Sequence, residues 1–412
     1  MGSFPESTAL SGGIASERNP AGVVTITLCF LVAMMEGLDL QAPGIAALGM
    51  GEALALNKQA MGEIFSVGIL GLLPGAAIGG WLSDRIGRKW VLTGAVTLFG
   101  VCSLLTAMAW DYWSLATFRL LTGIGLGGAL PSLIAISAEA VAPDFRNRAV
   151  AIMYAGVPAG AIFAALIGIA GYTGADGSWK MVFWIGGIVP LLIVPLLIMF
   201  LKESGGVTAS AETGARPGVI DGLFRQGAAL PTLMLWISYF FTLMVVYILI
   251  QWLPLLLRDL GFSKWEASWT VFWMHIGSTT GTVLLGWVSD RLRPWAITAL
   301  VYGGILAALT GLGLADNFIV MVLAAMVAGF FAVGGQGVLY AFAPSCYRTE
   351  VRATGVGAAV AVGRLGAMSG PLVAGKVLAM GGGAAGVLLG VMPGVACAAL
   401  AMFMLSRRVI RR

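Results

Sequence analysis

The chain has 412 residues, of which only 10% are charged, while 59% are hydrophobic and a further 59 residues are glycine. A soluble domain carries roughly 25% charged residues, so this composition excludes a soluble enzyme and a soluble nucleic-acid-binding protein. Intrinsic disorder is also excluded, because it requires low hydrophobicity and high net charge. The composition therefore predicts an integral membrane protein. The formal net charge of +5 is then explained by cationic loops on one side of the bilayer.

Twelve apolar stretches are long enough to cross a bilayer, because a helical span needs about 20 mostly apolar residues. The predicted spans are 22–46, 58–82, 90–109, 114–140, 149–171, 180–201, 230–257, 267–289, 295–314, 317–343, 353–379 and 384–405. The first span is too long for a signal-peptide core and carries two carboxylates, so we expect it to remain as an anchor. The sequence therefore predicts an all-α integral membrane protein with twelve transmembrane helices.

A polar segment rich in Gly, Ala and Ser divides the twelve spans into two groups of six. The predicted units are an N-terminal tail at 1–21, a bundle at 22–201, a linker at 202–229, a second bundle at 230–405 and a basic tail at 406–412. With both termini and the linker inside, 17 of the 24 Lys and Arg residues are cytoplasmic, four are external and three lie within spans. Cytoplasmic loops carry an excess of Lys and Arg, so we expect both termini in the cytoplasm.

Three motifs of the first half recur in the second half at nearly constant displacement. The segment 80–85 recurs at 286–291, the glycine pair 127–128 at 334–335, and the Arg-Ala pair 148–149 at 352–353, with displacements of 206, 207 and 204. The two bundles are therefore expected to be copies of one six-helix unit. Transporters built from such repeats hold their substrate near the membrane midplane, at the repeat interface.

Several motifs resemble a known transporter superfamily. The segment 80–89 resembles the loop signature of the major facilitator superfamily, and 119–128 resembles its fourth-helix signature. The segment 36–39, Glu-Gly-Leu-Asp, resembles the acidic motif of the aromatic acid:proton symporter family, which more often reads Asp-Gly-x-Asp. The segments 28–41 and 352–367 are similar to the 3-(3-hydroxyphenyl)propionate transporters of that family.

The resemblance implies the major facilitator fold, in two pseudo-symmetric bundles within a bacterial inner membrane. It also implies a proton-coupled symporter, not an enzyme, that imports 3-(3-hydroxyphenyl)propionate or a related hydroxylated aromatic carboxylate by alternating access. The expected partners are this substrate, protons and the lipid bilayer, with no nucleic acid and no cofactor beyond the proton gradient. We expect a monomer. The scattered cysteines and the single histidine predict no metal centre.

Three other membrane functions are compared with symport on the residues of the chain. The segment 370–376 superficially fits a phosphate-binding loop, but Val377 replaces the Ser or Thr and the segment lies within a span, which argues against an ATP-driven pump. The sequence has no repeated filter motif and no ring of charges, so it does not predict a channel. A proton-coupled drug or organic-anion antiporter stays open as the alternative. Efflux of cationic drugs favours unpaired buried acids, whereas this chain is predicted to have an unpaired buried arginine in span eleven.

Ionisable side chains within spans are costly unless they face the protein interior, so they mark candidate sites. Glu36 and Asp39 are three residues apart on span one, and Asp39 shares its predicted depth with Arg119 of span four. We expect an ion pair between Asp39 and Arg119, and protonation of Asp39, shared with Glu36, to loosen it and couple protons to transport. A purely structural ion pair is the alternative.

Arg364 lies near the middle of span eleven, whose helix contains no acid. We expect it to bind the substrate carboxylate through two parallel hydrogen bonds, or else to pair with Glu36 or Asp39. The remaining candidates for the substrate site are Arg119 and Asp39, the aromatic or amide side chains of Tyr247, Gln251, Gln336 and Tyr340, and His275, which can donate a hydrogen bond or relay protons.

The loop signature suggests a gate at the cytoplasmic ends of the spans. We expect Asp84 to accept hydrogen bonds from the start of a neighbouring helix, and Arg85 and Arg88 to bridge to acids of the other bundle. Asp290 occupies the matching place in the repeat. Glu139 is expected to pair with Arg146, with Arg148 or with the loop that contains Asp84.

Overall fold

A computed structural model describes residues 20–174, 176–203, 224, 229–347 and 351–409. In this part of the chain, each predicted span corresponds to one long helix, which confirms the predicted fold class. The helices are α1 (Pro20–Ala53), α2 (Lys58–Ile86), α3 (Arg88–Ala107), α4 (Tyr112–Glu139), α5 (Pro143–Ile169), α6 (Ser178–Phe200), α7 (Ala229–Asp259), α8 (Lys264–Ser289), α9 (Pro294–Leu314), α10 (Phe318–Cys346), α11 (Arg352–Ala379) and α12 (Gly383–Arg407).

Eleven of these helices are long and apolar enough to cross a membrane. The remaining one, α8, is less apolar because Ser268, Thr270, His275 and Ser278 lie along its buried side. A helix that buries polar groups against protein needs fewer apolar residues than one surrounded by lipid. We therefore count α8 as the twelfth span.

The external ends of α1, α2 and α4 are defined by local capping. α1 continues beyond its predicted end to Ala53, and the chain then turns at Ala55, whose φ of 49° lies in the left-handed region. Asn57 caps α2 by accepting a hydrogen bond from the backbone N–H of Ala60 at 2.8 Å. Asp111 and Ser114 form a capping box at the start of α4, and hydrogen bonds from Ser114 hold the pKa of the Asp111 carboxyl below its ordinary value.

Most of the predicted linker 202–229 and of the terminal tails lies outside the described residues. The same is true of several cations on which the predicted orientation depends, namely Arg18, Arg216, Arg225, Arg348, Arg411 and Arg412. The orientation used below is therefore the one predicted from the sequence.

The helices pack as two bundles that meet along three helix pairs. Within the N-terminal bundle, α2 packs on α4, α1 on α5, and α3 on α4 and α6. Within the C-terminal bundle, α7 packs on α11 and α12, and α8 on α10. The pairs α2–α11, α5–α8 and α1–α7 join the two bundles. α1, α7 and α11 therefore bring side chains of both repeats to one interface.

The bundles touch in the half of the molecule predicted to face the outside. The Ser66 hydroxyl of α2 donates to the Met368 carbonyl of α11 at 2.7 Å, and the Lys58 ammonium lies 4.0 Å from the Asp259 carboxylate. Among the described residues, no hydrogen bond or ion pair joins the two bundles at the predicted cytoplasmic ends of the spans. The structure is therefore closed outside and open inside.

Closure of the outer side requires a glycine at position 44. A Cβ there would lie 2.8 Å from the Gln251 carbonyl oxygen and 2.9 Å from that of Ile250, both on α7. We expect Gly44→Ala to destabilise the inward-facing state by about 1–2 kcal/mol and to shift the equilibrium outward about five- to thirtyfold. Labelling by a membrane-impermeant thiol reagent of a cysteine introduced at Ile45, in a background without Cys397, measures this shift.

The matched control for this prediction is Gly94→Ala, because a Cβ on Gly94 meets no atom within 4 Å. Both variants add one methyl group to a helix, and only Gly44→Ala places it between the bundles. Equal labelling of the two variants would show that the outer contact tolerates a side chain.

Candidate functional site

Two of the helices that surround the central interface are interrupted. α5 consists of helical segments Arg146–Tyr154 and Gly156–Ile169, separated by a turn at Ala155. α10 contains a π-helical segment at Gly329–Val333, and its helix resumes at Gln336 after two turn residues. Such interruptions redirect side chains, which is common where helices line a site.

Arg364 projects from α11 into the space between the bundles. Its Nη1 donates to the Tyr247 hydroxyl of α7 at 2.8 Å. The side chain is half-buried, and among the described residues no carboxylate comes within ion-pair distance of it. The guanidinium interacts electrostatically with Tyr340, Tyr154 and Glu36. The hydrogen bond that the structure gives this guanidinium among the described residues is thus to a neutral hydroxyl.

Glu36 approaches Arg364 from the opposite bundle. Its side chain is buried, at 7% exposure, and one carboxylate oxygen, Oε2, is buried without a hydrogen-bond partner. Gly37 allows the close approach of α1 to α5, because a Cβ there would lie 2.8 Å from Cα of Val157. Glu36 interacts electrostatically with Arg364 across the interface, so the acid and the cation share one polar site without forming a fixed ion pair.

Asp39 forms the predicted ion pair with Arg119. The Arg119 Nη1 donates to both carboxylate oxygens, at 3.1 Å and 3.0 Å, and the Ser103 hydroxyl lies 3.3 Å from Oδ1. The Arg119 guanidinium also lies 5.7 Å from the centre of the Phe183 ring. All four residues belong to the N-terminal bundle, so this ion pair joins helices within one repeat.

The expectation that Asp39 and Arg119 bind substrate is not supported in this conformation. Asp39 is fully buried and Arg119 is 3% exposed, so neither presents its charged group to the space around Arg364. The physical reason is helix rotation: residues three apart differ by about 60° around the axis. That difference directs Glu36 to the bundle interface and Asp39 into the bundle.

His275 belongs to a hydrogen-bond chain between the bundles. Its Nε2 lies 2.9 Å from Oε1 of Gln41, and Nε2 of Gln41 donates to the Ile250 carbonyl at 2.8 Å. Because the Gln41 amide N–H is used on Ile250, Nε2 of His275 is the donor to Gln41. Sequence reasoning did not single out Gln41, although an uncharged amide two residues after Asp39 in an apolar span is a usable signal.

The remaining predicted substrate residues divide into two groups. The Gln336 amide donates to the Tyr340 hydroxyl at 3.0 Å, and Tyr247 and Tyr340 both lie in the electrostatic environment of Arg364. Gln251 lies one turn further along α7 from Tyr247, is 2% exposed, and has a buried Oε1 without a partner. Tyr247, Gln336 and Tyr340 are thus near Arg364, and Gln251 lies on the outer side of them.

Sequence reasoning missed Tyr154, the last residue of the first helical segment of α5. Its side chain is 46% exposed and interacts electrostatically with Glu36, Arg364, Tyr340 and Tyr247. The available signal was a tyrosine two residues before a Gly-x-Pro sequence within an apolar span. Tyr154 places a hydroxyl of the N-terminal bundle beside the central cation of the other bundle.

The predicted gate residues contact their own bundle here. Arg88 forms an ion pair with Glu139, and the Arg85 guanidinium stacks 4.0 Å from the centre of the Trp81 ring. Asp84 and Asp290 are exposed. The expected bridges from Arg85 and Arg88 to the other bundle are absent from the described residues, because the cytoplasmic ends stand apart. Of the three expected partners of Glu139, the loop that contains Asp84 is confirmed, through Arg88, whereas Arg146 and Arg148 form no ion pair with it among the described residues.

Comparisons with known proteins agree with this architecture. The family described as Major Facilitator Superfamily matches residues 29–371 and 235–412. The 3-(3-hydroxy-phenyl)propionate transporter of Escherichia coli (strain K12) is 56% identical over 398 residues, which cover 95% of this chain and 97% of that protein. The gallate transporter of Pseudomonas putida is 36% identical over 391 residues, covering 86% and 85% of the two chains.

Solved structures match the fold over nearly the whole chain. The crystal structure of a D-xylose-proton symporter matches with a TM-score of 0.78 at 18% identity, covering 93% of this chain and 97% of the symporter. An inward-facing bacterial homologue of the lysosomal transporter Spinster matches with a TM-score of 0.78 at 19% identity, covering 95% and 98%. At such identities the likeness concerns the fold alone.

Proposed function

Because the chain belongs to the major facilitator superfamily and its relatives carry aromatic acids, we propose that it imports a hydroxylated aromatic carboxylate with protons. The protein is a multi-pass membrane transporter and not an enzyme. The proposed substrate is 3-(3-hydroxyphenyl)propionate or a close relative of it. The proposed location is a bacterial inner membrane, with both termini in the cytoplasm. In this proposal the protein is a monomer and the proton gradient is its energy source.

One observation carries the proposal: a central guanidinium has no fixed counter-ion among the described residues. Arg364 donates to the neutral hydroxyl of Tyr247, and the nearby acid Glu36 stays outside ion-pair distance. An arginine offers a carboxylate two parallel hydrogen bonds, which are among the stronger polar contacts in proteins. A monoanionic acid between the bundles supplies the missing negative charge.

The same geometry supports coupling to protons through Glu36. A substrate carboxylate at Arg364 and an ionised Glu36 would be two anions competing for one cation, and such an arrangement favours protonation of one of them. Protonation of Glu36 from the outside leaves Arg364 to the substrate. Release of that proton to the cytoplasm restores the competing anion, which expels the substrate inward.

The Asp39–Arg119 ion pair has a different role in this proposal. Both charges are buried and hydrogen-bonded within one bundle, so separating them would leave an unpaired charge at high cost. We propose that the pair remains closed and holds α1 against α4. Glu36 then lies at a constant depth in the bundle.

Uptake into proteoliposomes tests the proposed function. We expect labelled 3-(3-hydroxyphenyl)propionate to accumulate when the external medium is made acidic, and a protonophore to abolish the accumulation. Exchange of internal for external substrate should persist without a gradient. If the same gradient instead drives the substrate out of the vesicle, the protein is a proton antiporter and the proposal fails.

A further inference from the structure

Tyr154 has no role in the mechanism above, yet its hydroxyl shares the central polar site. It ends the first helical segment of α5, close to α1, because a Cβ added to the nearby Gly156 would lie 2.9 Å from the Met34 backbone nitrogen. Its electrostatic partners include Glu36 of its own bundle and Arg364, Tyr247 and Tyr340 of the other. A side chain that is 46% exposed in this conformation faces the open space and is accessible to a ligand. It is therefore a candidate to contact whatever occupies that space.

We propose that Tyr154 and Glu36 together recognise a hydroxyl group on the substrate ring, which makes Tyr154 a specificity-determining residue. This inference rests on the proposed function, because it assigns the two ends of the same substrate. The carboxylate end lies at Arg364 and Tyr247 in the C-terminal bundle. The hydroxyl end lies at Glu36 and Tyr154 in the N-terminal bundle.

Glu36 has a carboxylate oxygen whose hydrogen-bonding capacity is unfilled. Its Oε2 atom is buried and has no partner, and no hydrogen bond joins Glu36 to Tyr154 in the described part of the chain. A buried polar atom left without a partner is unfavourable, so a ligand group that fills the position is favoured. That group must approach an acceptor on Glu36 and a hydroxyl on Tyr154 together.

A hydroxyl group on the ligand can bind the Glu36 carboxylate and the Tyr154 hydroxyl together. A hydroxyl donates one hydrogen bond and accepts others, so it can donate to an ionised Glu36 and accept from the Tyr154 hydroxyl. When Glu36 carries the coupled proton, the directions reverse and the same hydroxyl accepts from Glu36 and donates to Tyr154. A methoxy group only accepts and an ammonium group only donates, so neither serves both protonation states.

The carboxylate end and the hydroxyl end of the proposed site lie on different repeats. Arg364 and Tyr247 are on α11 and α7, whereas Glu36 and Tyr154 are on α1 and α5. A substrate bound at both ends bridges the two bundles. A ring without a hydroxyl contacts only the carboxylate end, so the hydroxyl should affect affinity strongly. A site built to hydrogen-bond a hydroxyl rejects analogues that lack it, because its polar groups remain unpaired.

The test compares three ligands that differ only at the ring position 3. Affinities of the purified full-length protein are measured by calorimetry for 3-(3-hydroxyphenyl)propionate, 3-(3-methoxyphenyl)propionate and 3-phenylpropionate. We expect the wild-type protein to prefer the hydroxylated acid over both others by roughly ten- to hundredfold, the factor typical of a hydrogen bond to a charged group. Tyr154→Phe removes one of the two partners of the ring hydroxyl and should reduce that preference about two- to tenfold, the range for one neutral hydrogen bond, because Glu36 still binds the hydroxyl.

Two further variants keep the test decisive. Tyr172→Phe removes a hydroxyl from another exposed tyrosine, in the loop after α5, and should keep the wild-type preference. Tyr154→Gln retains a donor and an acceptor and should keep part of it, and it replaces Tyr154→Phe if that variant does not fold.

Three results would overturn the inference. One is a wild-type protein that binds the three acids equally. The second is a loss of affinity in Tyr154→Phe that is the same for all three, as a packing or gating role would produce. The third is a Tyr154→Phe variant with the full preference. Failure of the proposed function looks different, because the wild-type protein would then accumulate none of these acids under a proton gradient.

Discussion

Arg364→Ala is expected to lower the affinity for aromatic carboxylates at least about thirtyfold, the lower end of the effect of removing one partner of a buried, hydrogen-bonded charge pair. The variant removes the guanidinium that interacts with Tyr247, Tyr340 and Glu36. Calorimetry on purified protein measures the loss directly.

Arg364→Lys separates charge from geometry. A lysine keeps the positive charge but not the planar fork that binds a carboxylate through two parallel hydrogen bonds. We expect an intermediate loss of affinity. The matched control is Arg293→Ala, which removes an exposed arginine between α8 and α9 and should bind like the wild-type protein. Wild-type affinity in Arg364→Ala would exclude this arginine as the carboxylate site.

The second large effect is expected for Glu36→Gln, which keeps the shape of the side chain but cannot carry the coupled proton. With one proton per substrate anion, a gradient of one pH unit supplies about 1.4 kcal/mol, enough for roughly tenfold accumulation. The wild-type protein should reach this level in proteoliposomes. In Glu36→Gln, the accumulation ratio should fall to about one, while exchange of internal for external substrate continues.

Asp39→Asn is the comparison that makes the assignment to Glu36 testable. This change leaves Arg119 buried without its counter-ion, which typically costs about 3–5 kcal/mol. We expect a lower melting temperature and a lower yield, with coupling retained in the protein that folds. The opposite pattern, a stable but uncoupled Asp39→Asn together with a coupled Glu36→Gln, would assign the transported proton to Asp39.

The order and depth of features along the chain could be predicted from the sequence. Span length depends on bilayer thickness, and orientation on the distribution of Lys and Arg, so both are local properties of the chain. Depth along a helix follows from residue number at about 1.5 Å per residue. For this reason the sequence predicts the twelve helices, the ion pair of Asp39 with Arg119 and the central position of Arg364.

Only the three-dimensional arrangement decided which way each side chain points and which helix it faces. Glu36 and Asp39 are one turn apart in sequence, yet one faces Arg364 across the interface and the other is buried against Arg119. Tyr154 and Gln41 became candidates only because they interact with residues that are distant in the sequence. Arg88 pairs with Glu139 of its own bundle in a state in which the cytoplasmic ends of the two bundles are separated. Rotation about a helix axis and the relative position of the bundles depend on packing between distant segments, which the local pattern of residues does not encode.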